Sequence, residues 1–393
     1  MTYPFPTDQI NPPAEFAERR ANDPFGSILL ASGHKLPFLV THADVSAALA
    51  DPRLSHDITA PGSPRQVLGP SHLDNPGHFA NMDGEQHKRL RRLAAPAFSA
   101  VRMKKLEPVF EQICVDMLDA MERNGSSADI VDAYCAPLPA RILCRLLGVP
   151  EVDAPRFRNW SNAYLSAAKM SLQDRQIAIQ EFSAYLTELV AQRRNEPGNL
   201  LIDDLISARD GDDRLSEDEM LRMITGLIAA GSESTSNSLS RYLITLLGDN
   251  RTLWQQLLDD PDMIPDAVDE LLRHTILGQA ILIRRATEDV ELPSGFIAAG
   301  EFVAMSLPAA QRDETAFPDP DVVDFGRISP PSVYFGAGPH RCLGAQLAKA
   351  ELCMGLRLLL ERLPNLHLTT TIDELRFTNG EFISSPESLQ VAW

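Results

Sequence analysis

The chain has 393 residues, 44% of them apolar, so it is long enough to bury a large core. Its 36 Lys and Arg face 54 Asp and Glu, a net charge of -18, which excludes a general affinity for nucleic acid or for anionic membrane surfaces. No apolar run approaches the ~20 residues of a membrane span, and the opening MTYPFPTDQINPPAEFAERR lacks the charged start and apolar core of a signal peptide. The five cysteines, Cys114, Cys135, Cys144, Cys342 and Cys353, form no CxxC pair and are odd in number, the usage of a reducing compartment. The sequence therefore reads as a cytoplasmic protein. With no low-complexity linker or repeat in it, it also reads as a single domain over residues 1–393.

In chain order, residues 28–41 carry the alternating pattern of short strands. Helical periodicity follows over Asp44–Ala50, Glu85–Ala95, Lys104–Glu122, Pro137–Leu147 and Ala178–Arg194. Ser216-Glu-Asp-Glu219 is a capping box that opens a helix running to about Leu247, where Gly248 stops it. About thirty residues at ~1.5 Å each give roughly 45 Å, enough to cross a whole domain. The middle of that helix, Ala230-Gly-Ser-Glu-Ser-Thr-Ser-Asn-Ser238, is rich in glycine and hydroxyl residues that prefer other conformations, so it requires an explanation. A helix over Pro265–Arg273, strands over 281–306 and a last helix over Leu343–Leu363 complete a mainly α chain with small β-sheets.

The strongest chemical signal is Phe335-Gly336-Ala337-Gly338-Pro339-His340-Arg341-Cys342-Leu343-Gly344. Two glycines allow a tight loop, and the loop ends with a cysteine at the start of a helix, whose positive end and backbone N–H groups stabilise a thiolate. Gly344 offers a face without a side chain, so that a flat ligand can lie against the backbone. The other four cysteines sit in apolar helical patterns and read as packing residues.

This segment resembles the cysteine-ligand loop of cytochromes P450, Phe-Gly-x-Gly-x-His-x-Cys-x-Gly, at every fixed position. The resemblance implies the fold of that family, a triangular helical domain with a long central helix. It also implies haem b held through Cys342 as axial thiolate of the iron, which favours O–O cleavage. Ser332, where many bacterial members carry histidine, is expected not to matter for ligation. Glu270-Leu-Leu-Arg273 matches the family's Glu-x-x-Arg, whose spacing lets the charges pair on one helix face. The arginine that usually closes this pair is missing at its expected place, where Val322 stands. His87 and Arg91 match the His-x-x-x-Arg of the helix facing the haem propionates. Arg284 matches an arginine of the following strand, and with His340 these make four groups for two carboxylates. Phe335, Gly336 and Gly344 complete the expected cofactor set. The weak helix centre resembles Ala-Gly-x-Asp/Glu-Thr, in which Ala230 and Gly231 open a groove for O2 and an acid-alcohol pair delivers protons. Glu233 fills the acid position, and Ser234, followed by Thr235, stands where threonine is usual. Serine keeps the hydroxyl but lacks the methyl group that restricts its rotamer.

From His87 to Lys105 the chain carries Lys88, Arg89, Arg91, Arg92, Arg102, Lys104 and Lys105 and no acidic residue. By the resemblance this stretch lies on the side of the cysteine ligand, where Arg341 and Lys349 add to it. It is expected to dock an acidic ferredoxin, which brings electrons from NAD(P)H by way of a ferredoxin reductase. Substrate contacts are expected from residues 57–81, 156–194, 225–230, 278–283 and 382–385. Trp160 and Tyr164, four apart, read as core packing before substrate stacking. The reaction implied is oxygenation of a small molecule, a secondary metabolite, by a monomer. Oxidative coupling or desaturation without oxygen insertion is the alternative within the family, and a non-enzymatic haem sensor or carrier the alternative outside it. The sensor reading leaves the acid-alcohol pair unexplained.

Overall fold

The computed structural model describes the chain apart from residues 67–74, 154–155, 158–159, 161–170, 209–213, 249–250, 276, 329 and 379–382. Tyr164, Phe382 and much of the expected substrate-contacting sequence lie outside the described residues.

The helices are α1 (Ala14–Asn22), α2 (His42–Ala50), α3 (Gly84–Ala94), α4 (Ala100–Asn124), α5 (Pro137–Leu147), α6 (Leu172–Asn195) and α7 (Leu201–Ser207). They continue with α8 (Glu217–Leu247), α9 (Thr252–Asp259), α10 (Ile264–His274), α11 (Leu307–Ala310) and α12 (Ala345–Arg362). The strands are β1 (Ser27–Leu29), β2 (Lys35–Leu39), β3 (Leu54–Ser55), β4 (Ser127–Asp129) and β5 (Leu282–Ala286). After them come β6 (Val290–Leu292), β7 (Gly295–Ile297), β8 (Phe302–Met305), β9 (His367–Leu368) and β10 (Gln390–Ala392). The mainly α reading therefore holds. Where helices begin earlier than their apolar periodicity, side-chain caps account for it. Ser99 accepts from the N–H of Arg102 at the start of α4, and Ser171 from that of Asp174 at the start of α6.

The chain divides into two compact units. One comprises Met1–Lys88, Asp266–Cys342 and Asn379–Ser384; the other comprises Arg89–Pro265, Leu343–Thr378 and Ser385–Trp393.

The first unit is built on a five-stranded sheet of order β1-β2-β8-β5-β3, with β6 and β7 as a separate hairpin. The antiparallel register of β3 on β5 sets Leu54 opposite Ala286 and Ser55 opposite Arg285. Tyr3, Phe5, Phe16 and Phe38 cluster over one part of the sheet with edge-on and tilted ring contacts. In the second unit α12 packs along α4, while α8 packs on α5, α12 and α9. Strands β4, β10 and β9 form its small sheet.

Helix α8 begins with the expected capping box. The Glu219 N–H donates to Ser216 Oγ at 3.2 Å, and the Ser216 N–H donates to Glu219 Oε2 at 2.8 Å. Three hydroxyls of its centre and the following turn are satisfied within the helix. Ser234 donates to the Ala230 carbonyl at 2.7 Å, Ser238 to Ser234 at 2.9 Å and Ser240 to Ser236 at 2.9 Å. Burial of Thr235, Asn237, Ser238 and Ser240 adds packing that overrides their low helix propensity.

The Glu270–Arg273 pair forms within α10 of the first unit, and it is buried. Arg273 Nε and Nη2 donate to the two carboxylate oxygens at 2.7 and 2.8 Å. The third member is Arg327, whose Nε lies 3.1 Å from Glu270 Oε1. Val322 contributes its backbone, since its carbonyl accepts from Arg327 at 2.7 Å and from Arg273 at 3.3 Å. The closing arginine thus exists five residues beyond the position where it was expected. The guanidinium reaches back to the loop. Burial alone pushes the Glu270 carboxyl up, but the bonds from Arg273, the Asp324 N–H and Arg327 outweigh it and hold the group below its usual range.

Replacing Arg327 removes one charge from a buried cluster and leaves loop carbonyls without donors. Arg327→Ala is expected to lower unfolding free energy by about 3–5 kcal/mol. Val322→Ala, at an exposed side chain, is expected to stay within ~0.5 kcal/mol. Urea unfolding of the two variants checks this; equal costs would refute the assignment.

Candidate haem-binding site

The cysteine loop closes on itself through the backbone. The Gly336 N–H donates to Val333 at 2.7 Å, Arg341 to Gly338 at 3.2 Å and Cys342 to Phe335 at 2.7 Å. Gly336 and Gly338 have φ of 70° and 65°, in the left-handed region. At Gly338 a Cβ would lie 2.7 Å from the Leu49 carbonyl oxygen, so no side chain fits there. Upstream, Gln311 ties the loop to the Glu270 cluster. Its own carbonyl accepts from Arg273 at 2.9 Å, its side-chain oxygen accepts the Val333 N–H at 3.0 Å, and its amide donates to the Ser332 hydroxyl. Ser332, at the position where the resembling proteins often carry histidine, is thus a hydrogen-bonded part of the loop.

Cys342 is exposed, whereas Cys114, Cys135 and Cys144 are buried and Cys353 is partly buried. Burial pushes the thiols of Cys114, Cys135 and Cys144 up to about 12, which leaves them inert near neutral pH. Gly344, two residues on, is the N-cap of α12, and a Cβ built there meets no atom within 4 Å. The missing side chain leaves open space; packing does not require it.

On the same unit as Cys342, three imidazoles stack into a column. His87 lies parallel to His340 at 3.7 Å between ring centroids, and His340 lies parallel to His56 at 3.3 Å. Phe79 caps the other face of His87 at 4.7 Å. Asp83 accepts from the Ser55 hydroxyl at 2.6 Å and the His56 N–H at 2.9 Å, with His56 Nδ1 at 3.2 Å and His340 Nε2 at 3.6 Å. Burial would raise the Asp83 carboxyl, but these donors overcome it and hold the group far below the usual carboxylate range. Arg284 is buried at 7% exposure. Its Nη1 donates to the Ile283 carbonyl at 2.8 Å, its Nε has no partner, and no carboxylate forms an ion pair with it among the described residues. Burial depresses this guanidinium to about 10, with Asp83 opposing the shift.

His87, His340 and Arg284 of the expected cofactor set therefore belong to one compact unit; Arg91 belongs to the other. His56 and Asp83 were missed by sequence reasoning. Nothing in Arg53-Leu-Ser-His-Asp57 distinguishes that histidine from a solvated one, because its place is set by pairing of β3 with β5.

In the second unit, Ala230, Gly231, Glu233, Ser234 and Thr235 lie on consecutive turns of α8. The Ser234 hydroxyl spends its proton on the Ala230 carbonyl and keeps its lone pairs for an incoming donor. At Gly231 a Cβ would sit 3.4 Å from Leu143 Cδ1, an ordinary contact, so protein packing does not demand glycine there.

The basic stretch is narrower than the sequence suggests. Arg89 pairs with Glu219 at 3.0 Å and Arg102 with Asp204 at 2.8 Å, so both are committed within their unit. Lys88 makes a solvent-exposed pair with Glu85 at 2.8 Å, an interaction of small worth. Arg92, Lys104, Lys105 and Arg341 are exposed. Trp160 is buried against Phe182 and Tyr185, in keeping with a core role.

These residues fit a haem. Its iron calls for an accessible thiol, its flat ring for backbone without a side chain, and its carboxylates for buried cations. Cys342 and Arg284 of the first unit offer the thiol and the cation, and Gly344 of the second is such a backbone position.

Comparison with known proteins agrees with this reading. The family model described as Cytochrome P450 matches residues 245–393. Mycinamicin IV hydroxylase/epoxidase of Micromonospora griseorubida is 38% identical, with 96% of this chain and 94% of that protein covered. Nocardicin C N-oxygenase of Nocardia uniformis subsp. tsuyamanensis is 37% identical with the same coverage. The crystal structure of a cytochrome P450 hydroxylase from the leinamycin biosynthetic pathway of Streptomyces atroolivaceus superposes with a TM-score of 0.93 at 38% identity, covering 100% of both chains. The chain belongs to the cytochrome P450 family and is a haem monooxygenase that takes electrons from redox partners to oxidise a small molecule.

Proposed function

We propose that the protein inserts oxygen into a secondary metabolite, as a cytoplasmic monomer whose 393 residues work as a single haem domain. The observation that carries this reading is the self-closed loop that presents Cys342, the exposed cysteine, ahead of α12. The activities named for the two relatives above, hydroxylation or epoxidation and N-oxygenation, support insertion, while coupling, named for a similar solved structure, is the outcome that labelled dioxygen separates from it. Haem b, when bound, supplies the iron at which O2 is activated, with the thiolate favouring O–O cleavage.

The chain's own residues do the rest. Cys342 is the iron ligand, and Phe335, Gly336 and Gly344 shape the backbone beside it. His87, Arg91, Arg284 and His340 bind the two carboxylates of the cofactor. Glu233 takes up protons, and Ser234, with Thr235 beside it, passes them on, while Ala230 and Gly231 leave room for O2. Arg92, Lys104 and Lys105, with Arg341, steer an acidic ferredoxin that is reduced by NAD(P)H through a ferredoxin reductase. Arg89 and Arg102, whose charges are shared with Glu219 and Asp204, contribute less to that steering.

Five measurements test these assignments. Cys342→Ala is expected to lose the red-shifted Soret band of the reduced carbon monoxide complex that marks a thiolate ligand; retention of that band would sink the site. With labelled dioxygen, label is expected in the product. Ser234→Ala should lower product formed per NAD(P)H by on the order of 10²-fold while hydrogen peroxide release rises, and Ser234→Thr should retain coupling. Reversing Lys104 and Lys105 to Glu should slow haem reduction about 10-fold at low ionic strength, with the difference vanishing in high salt. Arg102→Glu should instead lower thermal stability.

A further inference from the structure

The edge of β3 holds a group that neither the expected cofactor set nor the oxygen-activation residues include. His56 follows Ser55, whose ladder partner is Arg285, so it lies beside Arg284 at the end of the β3–β5 pairing. Its side chain is 10% exposed. One ring nitrogen, Nδ1, is engaged by Asp83 at 3.2 Å, and one ring face is covered by His340 at 3.3 Å. The other nitrogen, Nε2, is buried and has no hydrogen-bond partner among the described residues. Arg284, equally buried, has an Nε in the same condition. Two buried nitrogens beside one another at the β3–β5 pairing, one of them on a cation, both lack a hydrogen-bond partner among the described residues. Leaving such groups unsatisfied is costly, and an anionic oxygen satisfies both.

A metal ion is the alternative occupant, because ligand atoms of His56, Asp83 and His340 lie within 4.8 Å of one another. Two features disfavour it. The Asp83 oxygens already accept the Ser55 hydroxyl and the His56 N–H, and the unneutralised Arg284 repels a dication.

Resting on the haem reading above, we propose that His56 is a cofactor-positioning residue: its Nε2 and the Arg284 guanidinium together bind one haem carboxylate, while its ring braces His340. Asp83 holds Nδ1–H, which fixes the ring plane and directs Nε2 at the ligand. Burial, with Arg284 and His340 beside it, lowers the imidazole to about 3 against the pull of Asp83, so the second proton comes with the ligand: a haem carboxylate at Nε2 would bring that proton with it, each anion then accepting one N–H. The bracing completes a wall in which three stacked rings cannot tilt independently.

The test uses the full chain loaded with haem, with resonance Raman spectroscopy of the haem propionate bending band and the rate of haem transfer to excess apomyoglobin as readouts. His56→Phe keeps an aromatic ring for the stack and removes both nitrogens; His56→Gln restores a donor. The proposal expects the propionate band to move to lower frequency in His56→Phe and haem loss to quicken about 10-fold, with both readouts returning toward wild type in His56→Gln. An unshifted band and unchanged transfer rate in the phenylalanine variant would overturn it, as would a glutamine variant no closer to wild type than phenylalanine. Wild-type protein that takes up no haem overturns the underlying reading as well. Wild-type protein that binds haem without the thiolate signature, yet shows the His56 effects, overturns Cys342 as ligand and leaves His56 in place.

Discussion

The carboxylate of Glu270 is the fixed point from which the cysteine loop is hung. Two buried guanidiniums converge on it, and three charges in a dry site persist only when every donor and acceptor is met. Arg273 and Arg327 meet that demand by spending their remaining N–H groups on carbonyls of the segment from Pro318 to Val322 and on that of Gln311. From Gln311 the constraint passes through its side-chain oxygen to Val333, from the Val333 carbonyl to Gly336, and from Phe335 to the N–H of Cys342. A chain of hydrogen bonds thus runs from a helix carboxylate to the residue that carries the sulfur. Charge neutralisation in α10 and geometry at Cys342 are one problem with one solution.

What could be read in the amino-acid sequence follows from how local each feature is. The loop from Phe335 to Gly344 is contiguous, its glycines are required by backbone angles within the loop, and so its form was legible. The ends of α8 were legible for the same reason, because capping is decided within four residues. Arg327 was not, because nothing in a loop fixes the number of residues between a carboxylate and a guanidinium long enough to reach it from either side. The ion pairs of Arg89 and Arg102 were not legible because their partners, Glu219 and Asp204, lie more than a hundred residues away. His56 was invisible because its surroundings are assembled from a strand edge, a helix and a loop. The serine-rich middle of α8 shows the converse: propensity argued against a helix there, and burial with internal hydroxyl bonds overrode it.

The unit that contains Cys342 also shows how an acidic protein concentrates positive charge locally. Arg284 sits in the interior without an ion pair among the described residues, and the neighbouring acid, Asp83, is largely occupied by hydroxyl, backbone and imidazole donors. The residual field favours an anion at that place whatever the net charge of the whole molecule.

Burial of three of the other four cysteines has a consequence for which sulfur a metal can meet. A thiol held near 12 is ionised to roughly one part in 10⁵ at neutrality, so Cys114, Cys135 and Cys144 offer iron no competing thiolate. The folded interior withholds those three candidates.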